Sequence, residues 1–200
     1  MIDTVRVAHI EPRTRVEGPG LRWALWVQGC TIGCAGCCNP HTWTTDGGFD
    51  IEVDALVDSA LGAGVEGITL IGGEPFEQAT PLSLLARRVR AAGLGVVCFT
   101  GYTLERLRSG TRPDWSTLLA ECDLLVDGPY LAQRPDMTRP WVGSTNQRFV
   151  HLTDRYAGVE NGAKNATVEI RVRRDGVVTA VGWPDATLVD QLSAEYETPR

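Results

Sequence analysis

Apolar positions along the chain alternate or recur in a way that separates short strands from amphipathic helices. Residues 5–10 (VRVAHI) predict a short strand. Gly18-Pro19-Gly20 then turns the chain into residues 21–27, a Trp- and Val-rich run that reads as a buried strand. Ile51, Leu56, Val57, Ala60 and Leu61 fall at helical spacing and predict a helix over 51–63, ending at Gly62 and Gly64. A second buried strand, 67–71, runs into Gly72-Gly73-Glu74-Pro75. Thr80-Pro81 has the cap-then-proline pattern of a helix start, with Ala92 as its end and Gly93 as its stop. Residues 94–99 predict a third strand, ending in Thr100-Gly101-Tyr102. Short helices are expected at 103–109 and 114–121, and a fourth strand at 123–126, followed by Asp127-Gly128-Pro129-Tyr130.

Beyond these units, residues 148–152 read as a strand and 154–165 as a polar, mobile connection. Runs 167–173 and 177–181 flank Arg174-Asp175-Gly176, and an Asp-Gly pair between alternating runs is a strong hairpin signal. The final dozen residues are expected to be a helix or a loose tail. Strands alternating with helices mean parallel β/α units with right-handed connections. A closed eight-stranded barrel needs about 250 residues, and this chain of 200 offers too few units. The expected class is therefore α/β: an open, partial (β/α) barrel over 1–152, with 153–200 as an extension carrying the C-terminal β-hairpin. Ligands in such folds gather at the C-terminal ends of the strands. The glycine-containing loops all fall on that edge.

Composition narrows the function. A net charge of −6 and a pI near 5.1 argue against a nucleic-acid surface, which needs a basic patch. Arg87, Arg88 and Arg90 are spaced as a solvated helix face. No apolar run approaches the roughly 20 residues that span a bilayer, and the N-terminus has no charged-then-apolar signal pattern. A cytoplasmic protein with no membrane contact is expected. Six cysteines would mean disulfides in a secreted chain; four of them within nine residues favour a metal here.

Those four lie in Gln28–Pro40, Q-G-C-T-I-G-C-A-G-C-C-N-P, with Cys30, Cys34 and Cys37 spaced C-x3-C-x2-C and Cys38 next. Positions i, i+4 and i+7 would line one helix face as packed core thiols. Gly29, Gly33 and Gly36 oppose a helix, each costing about 1 kcal/mol relative to Ala, and Asn39-Pro40 ends it. A glycine-rich loop instead curls its sulfurs around a metal. Structural zinc wants four ligands, which here would have to include Cys38. Three thiolates on a four-iron cubane leave one iron open to chemistry. Gly72 and Gly73, without Cβ atoms, admit close approach to a ligand, and Glu74 is placed to take an ammonium group. Thr100 and Asp127, at the next two strand ends, are either polar contacts for a cofactor or cation, or loop caps. Cys98 and Cys122 read as buried thiols. Trp115 and Trp141 are candidates to meet a partner.

The cysteine spacing followed by G-G-E resembles the radical S-adenosylmethionine (SAM) superfamily. G-P-G-L-R (18–22), G-C-x3-C-x-G-C (29–37), N-P-x-T-W (39–43), G-G-E-P (72–75), T-G-Y (100–102), L-V-D-G-P (125–129) and G-S-x-N-Q (143–147) come in order. Together, from about Val16 to Leu152, they resemble the activating proteins of anaerobic (class III) ribonucleotide reductase, a glycyl-radical enzyme activating family. That resemblance implies a radical SAM partial barrel, with a [4Fe–4S] cluster on Cys30, Cys34 and Cys37. It implies SAM held by Gly72, Gly73 and Glu74, with Gly36, Cys38, Thr100 and Asp127 around it. It implies a 5′-deoxyadenosyl radical that takes hydrogen from a glycine of a large partner, and an electron donor such as flavodoxin or ferredoxin. Where the family usually has an aromatic residue after the third cysteine, this chain has Cys38. That departure and the hairpin support an alternative, direct hydrogen abstraction from a small molecule or peptide.

Overall fold

Thr4–Thr14 forms β1, which runs antiparallel to Arg22–Val27 (β2) on one side and to Phe49–Glu52 (β3) on the other. Parallel pairing carries the sheet from β2 through Gly67–Gly72 (β4) and Gly95–Thr100 (β5) to Leu124–Asp127 (β6). Arg148–His151 (β7) adds antiparallel to β6, giving the order β3-β1-β2-β4-β5-β6-β7. The computed structural model describes residues 4–162, 168–172, 174, 176 and 178–182. The parallel centre of a mixed α/β sheet is as the alternation of elements predicts.

Strand alternation sorts the side chains onto two faces. Trp23, Leu25, Val27, Ile68, Leu70, Val96, Cys98 and Leu125 form one core with helices Val53–Gly62 (α1), Ala79–Ala91 (α2) and Pro113–Ala120 (α4). A short helix, Leu104–Leu107 (α3), precedes α4. Each buried Leu, Ile or Val there contributes about 1.5–3 kcal/mol by area removed from water. The intervening residues Ala24, Trp26 and Ile71 face away from the helices and cluster with Val16 and Val181. Val181 belongs to a hairpin of Val168–Val172 (β8) and Val178–Gly182 (β9), paired antiparallel. The hairpin is further pinned to β1 and the residue that follows it: Arg171 pairs with Glu11, and Glu169 accepts from Arg15 N at 2.9 Å.

The N-terminal ends of the parallel strands close on Arg22, which is fully buried. Its guanidinium donates to Thr69 Oγ1 (3.1 Å), Tyr156 OH (2.5 Å), Gly95 O (3.2 Å) and Ile68 O, and it lies 5.4 Å from the Tyr156 ring. Desolvation lowers its pKa. No described helix is long and apolar enough to cross a membrane.

Several sequence expectations shift. The helix predicted over 51–63 starts at Val53, because Ile51 pairs with Val5 in β3. Thr80 and Pro81 do not start α2. Winding begins at a 3₁₀ turn, Pro75–Gln78, whose N-terminus is capped by the Glu74 carboxylate accepting from Phe76 N. Trp115 and Trp141 are buried rather than offered to a partner: Trp115 stacks near Tyr102 and Phe76, and Trp141 meets Phe149 edge-on. Residues 154–156 form a 3₁₀ turn that delivers Tyr156 to Arg22, rather than a loose connection. The expected tail lies outside the described residues.

Candidate metal centre

The cysteine loop leaves the C-terminal end of β2 and is held at its base by backbone. Gly29 N donates to Thr42 O (2.7 Å) and Cys30 N to Trp43 O (3.0 Å), zipping its outgoing and returning limbs together. The Gln28 amide reinforces this by donating to His41 O (3.1 Å) and Thr44 O (2.6 Å). Within the loop Cys37 N donates to Cys34 O at 3.0 Å, and Gly33 and Gly36 have φ of +60° and +79°. Cys30, Cys34 and Cys37 are half-buried with free thiols, and Cys38 is exposed. Burial pushes the Cys30 and Cys34 thiols up; a coordinated metal removes such a proton outright.

The Gly-Gly-Glu segment sits against this loop. Gly73 N donates to Val27 O and Glu74 N to Gly29 O, both at 2.8 Å. A Cβ on Gly73 would lie 2.3 Å from Gly29 O, and one on Gly72 2.6 Å from Trp26 Cα. Gly73 is thus required first by the cysteine limb itself, and Gly72 by the end of β2 that leads into it. Glu74 is buried; Oε1 accepts from Phe76 N (2.9 Å) and Thr100 Oγ1 (2.8 Å), and Oε2 from Gly101 N (2.9 Å). Burial raises its pKa to about 7 against the pull of those donors. Thr100 also accepts from Tyr102 N at 3.1 Å. Asp127, fully buried, accepts from Leu104 N (2.7 Å) and from Arg148 Nε (2.9 Å) and is ion-paired with that arginine, which also binds Glu105. Thr100 and Glu74 are therefore joined directly, whereas Asp127 is tied to α3 and β7. Gly36 packs on the loop after β6: a Cβ there would meet Ala132 at 3.3 Å and Tyr130 at 3.5 Å.

Residues 16–150 match the family described as 4Fe-4S single cluster domain. The anaerobic ribonucleoside-triphosphate reductase-activating protein of Pasteurella multocida is 33% identical over 153 residues, covering 71% of this chain and 94% of that protein. Its counterpart in Escherichia coli K12 is 32% identical over 148 residues (68% and 92%), and that of Enterobacteria phage T4 32% over 153 (73% and 94%). The chain belongs to this family of radical SAM activating proteins. Its hairpin, β8–β9, lies beyond the part that matches the family.

The donor set fits the cofactors of the family, a [4Fe–4S] cluster and SAM. Among the described residues no three His, Cys, Asp or Glu side chains converge on a single ion. Three thiols that each take a separate corner of a cubane have no need to. Soft sulfur donors at C-x3-C-x2-C, on a loop whose glycines face open space at Gly33, suit such a group. Sequence reading missed Gln28, Glu77, Gln78 and Arg148. Gln78 donates to Gln28 O and Arg6 O, both at 2.9 Å, and accepts from Arg6 N at 2.7 Å. The Gln preceding the first Gly-Cys was the only local signal among them.

Proposed function

We propose that this protein is a glycyl-radical activase: it cleaves SAM reductively at a [4Fe–4S] cluster and generates a glycyl radical on a partner such as anaerobic ribonucleotide reductase. The chemistry supplied by the bound cofactors is one-electron reduction of the sulfonium, with scission of its C5′–S bond to methionine and a 5′-deoxyadenosyl radical. The observation that carries this reading is the family match across 16–150, which contains both the three-thiol loop and the Gly-Gly-Glu segment bonded to it.

In this reading Cys30, Cys34 and Cys37 hold the cluster and leave one iron free for SAM. Gly72, Gly73 and Glu74 hold the methionyl end. Of the Glu74 oxygens, Oε2 has a single described donor and retains capacity for an ammonium. Gly36 and Cys38 form the wall beside the cofactor. Thr100 acts through Glu74, and Asp127 fixes the neighbouring strand end through Arg148. The sheet serves as an open partial barrel over 1–152 that admits a partner loop, with 153–200 as an appended unit. Electrons come from a flavodoxin or ferredoxin in the cytoplasm.

Reduced protein, SAM and a class III reductase should give a glycyl-radical signal by electron paramagnetic resonance. SAM cleavage with several such reductases all silent would overturn the partner assignment. The hairpin supports a second reading, a radical that acts directly on a small molecule or peptide, because it packs on the sheet face opposite the helices and lies beyond the family match. Deoxyadenosine coupled to a modified metabolite, without a protein radical, would identify that case.

A further inference from the structure

Between Cys30 and Cys34 the loop is gripped from outside by one carboxylate, that of Glu77 in the 3₁₀ turn after Gly-Gly-Glu. Its Oε1 accepts from Thr31 N at 3.0 Å and from Thr31 Oγ1 at 2.5 Å, and from Tyr102 OH at 3.2 Å. Three elements meet at that one oxygen: the residue following the first cysteine, the turn after β4 and the loop after β5. Backbone bonds fix the loop at Gly29 and Cys30, so the Glu77 bridge is what continues that support onto the limb leading to Cys34. Thr31 is exposed and Glu77 and Tyr102 are half-buried, so the carboxylate stands next to the first ligand without being sealed in.

The geometry points to Glu77 as a positioning residue for the cluster, one that holds the Cys30 limb in place and sets the cluster's reduction potential with its charge. This rests on the cluster assignment made above and not on the identity of the partner. Outer carboxylates and hydrogen bonds orient metal ligands and tune the metal they hold. A fixed negative charge beside the site opposes the electron that arrives on reduction. Removing a unit charge from beside the site favours the reduced state, and a partly screened charge of this kind shifts a one-electron ratio severalfold. Tyr102 restricts the carboxylate to the orientation that serves Thr31.

The test uses reconstituted full-length protein under anaerobic conditions, without SAM or partner. Glu77→Gln keeps a carbonyl oxygen for Thr31 and Tyr102 but removes the charge. It should retain native iron content, and its reduced-to-oxidised ratio at a fixed dithionite–viologen poise should rise severalfold. Glu77→Ala removes the grip as well, and should lose iron to a chelator severalfold faster than native protein at unchanged far-ultraviolet dichroism. Tyr102→Phe should fall between native and Glu77→Ala in chelation rate. A Glu77→Gln potential equal to native, together with native chelation rates for Glu77→Ala, overturns the proposal. If Glu77→Ala does not fold, the Glu77→Gln titration decides alone. Failure of the activase reading leaves these readouts untouched, whereas failure of all variants and native protein to take up iron defeats the cluster assignment itself.

Discussion

Glu74 keeps a carboxylate inside the protein by answering it with three donors: Phe76 N, Gly101 N and the Thr100 hydroxyl. An amide at that position presents an NH₂ to one of two backbone N–H groups that need an acceptor. Glu74→Gln should therefore cost about 1–3 kcal/mol of stability as well as weakening SAM binding. Equilibrium unfolding and SAM titration of the same samples would separate the two losses; an unchanged unfolding midpoint would contradict the buried geometry. For the thiols, Cys30→Ala, Cys34→Ala and Cys37→Ala should each abolish SAM cleavage and visible cluster absorbance, while Cys38→Ala, at an exposed thiol, retains the cluster. Iron analysis after anaerobic reconstitution checks this, and loss of iron in Cys38→Ala as well as in the other three would return the site to a four-thiol zinc or iron reading. The cysteines and the glycines could be read from sequence because their chemistry is written in a few adjacent letters. Glu77 could not: its partner Thr31 lies 46 residues away. Asp127 reads as a strand-end acid in any sequence, and only the fold reveals that Arg148 occupies it.

At the scale of elements the hairpin is the part of this chain that its family does not explain. Its strands put Glu169 and Val181 on one face and Val168, Ile170 and Val172 on the other. The first face goes down onto Val16, Trp26 and Arg15, and the second leaves Val172 72% exposed. The alternation of apolar residues points to two strands here, but where the pair docks depends on packing that no local pattern encodes. The run Phe49–Glu52 shows the opposite failure, since Ile51 and Glu52 read as the first turn of the following helix until β1 pairs with them. Docking also buries Glu17, whose pKa burial pushes up to about 8, helped by the nearby Glu169 and opposed by the Gly182 N–H. The unfolded carboxyl ionises near 4.5, so between there and about 8 the folded state binds the extra proton. Stability contributed at this site is thus highest at the acid end of that window, falls as pH rises through it, and levels beyond. Glu74, raised to about 7, adds to the same slope. Glu17→Gln should flatten part of that slope and raise stability at about pH 8 by on the order of a few kcal/mol. Urea unfolding at several pH values decides it; a variant whose pH dependence matches the native one would exclude the role given to Glu17.

The whole molecule divides its work between the two ends of the parallel strands. At the C-terminal ends lie the cysteine loop, Gly-Gly-Glu and Thr100, bonded to one another. At the N-terminal ends lies Arg22, a buried cation that the described hydrogen bonds satisfy with Thr69, Tyr156 and two main-chain carbonyls. Asp123 stands close by, accepting from Val96 N at 2.8 Å and from Thr153 Oγ1 at 2.8 Å. Among the described residues no hydrogen bond or ion pair joins the second set to the first, and folds of this kind assign chemistry to one end and stability to the other. Removing the Arg22 side chain empties a fully buried volume and leaves those acceptors unanswered, for which about 3 kcal/mol or more is the expected loss. Arg22→Ala should accordingly lower the unfolding midpoint sharply. The fraction that stays folded should load iron and show the native cluster spectrum. Cys34→Ala should do the reverse: no cluster, but a metal-free unfolding midpoint close to that of native metal-free protein. Measured side by side, the two variants must separate along these two axes. An Arg22→Ala protein that keeps its midpoint yet loses the cluster would mean that the strand ends are coupled through the sheet.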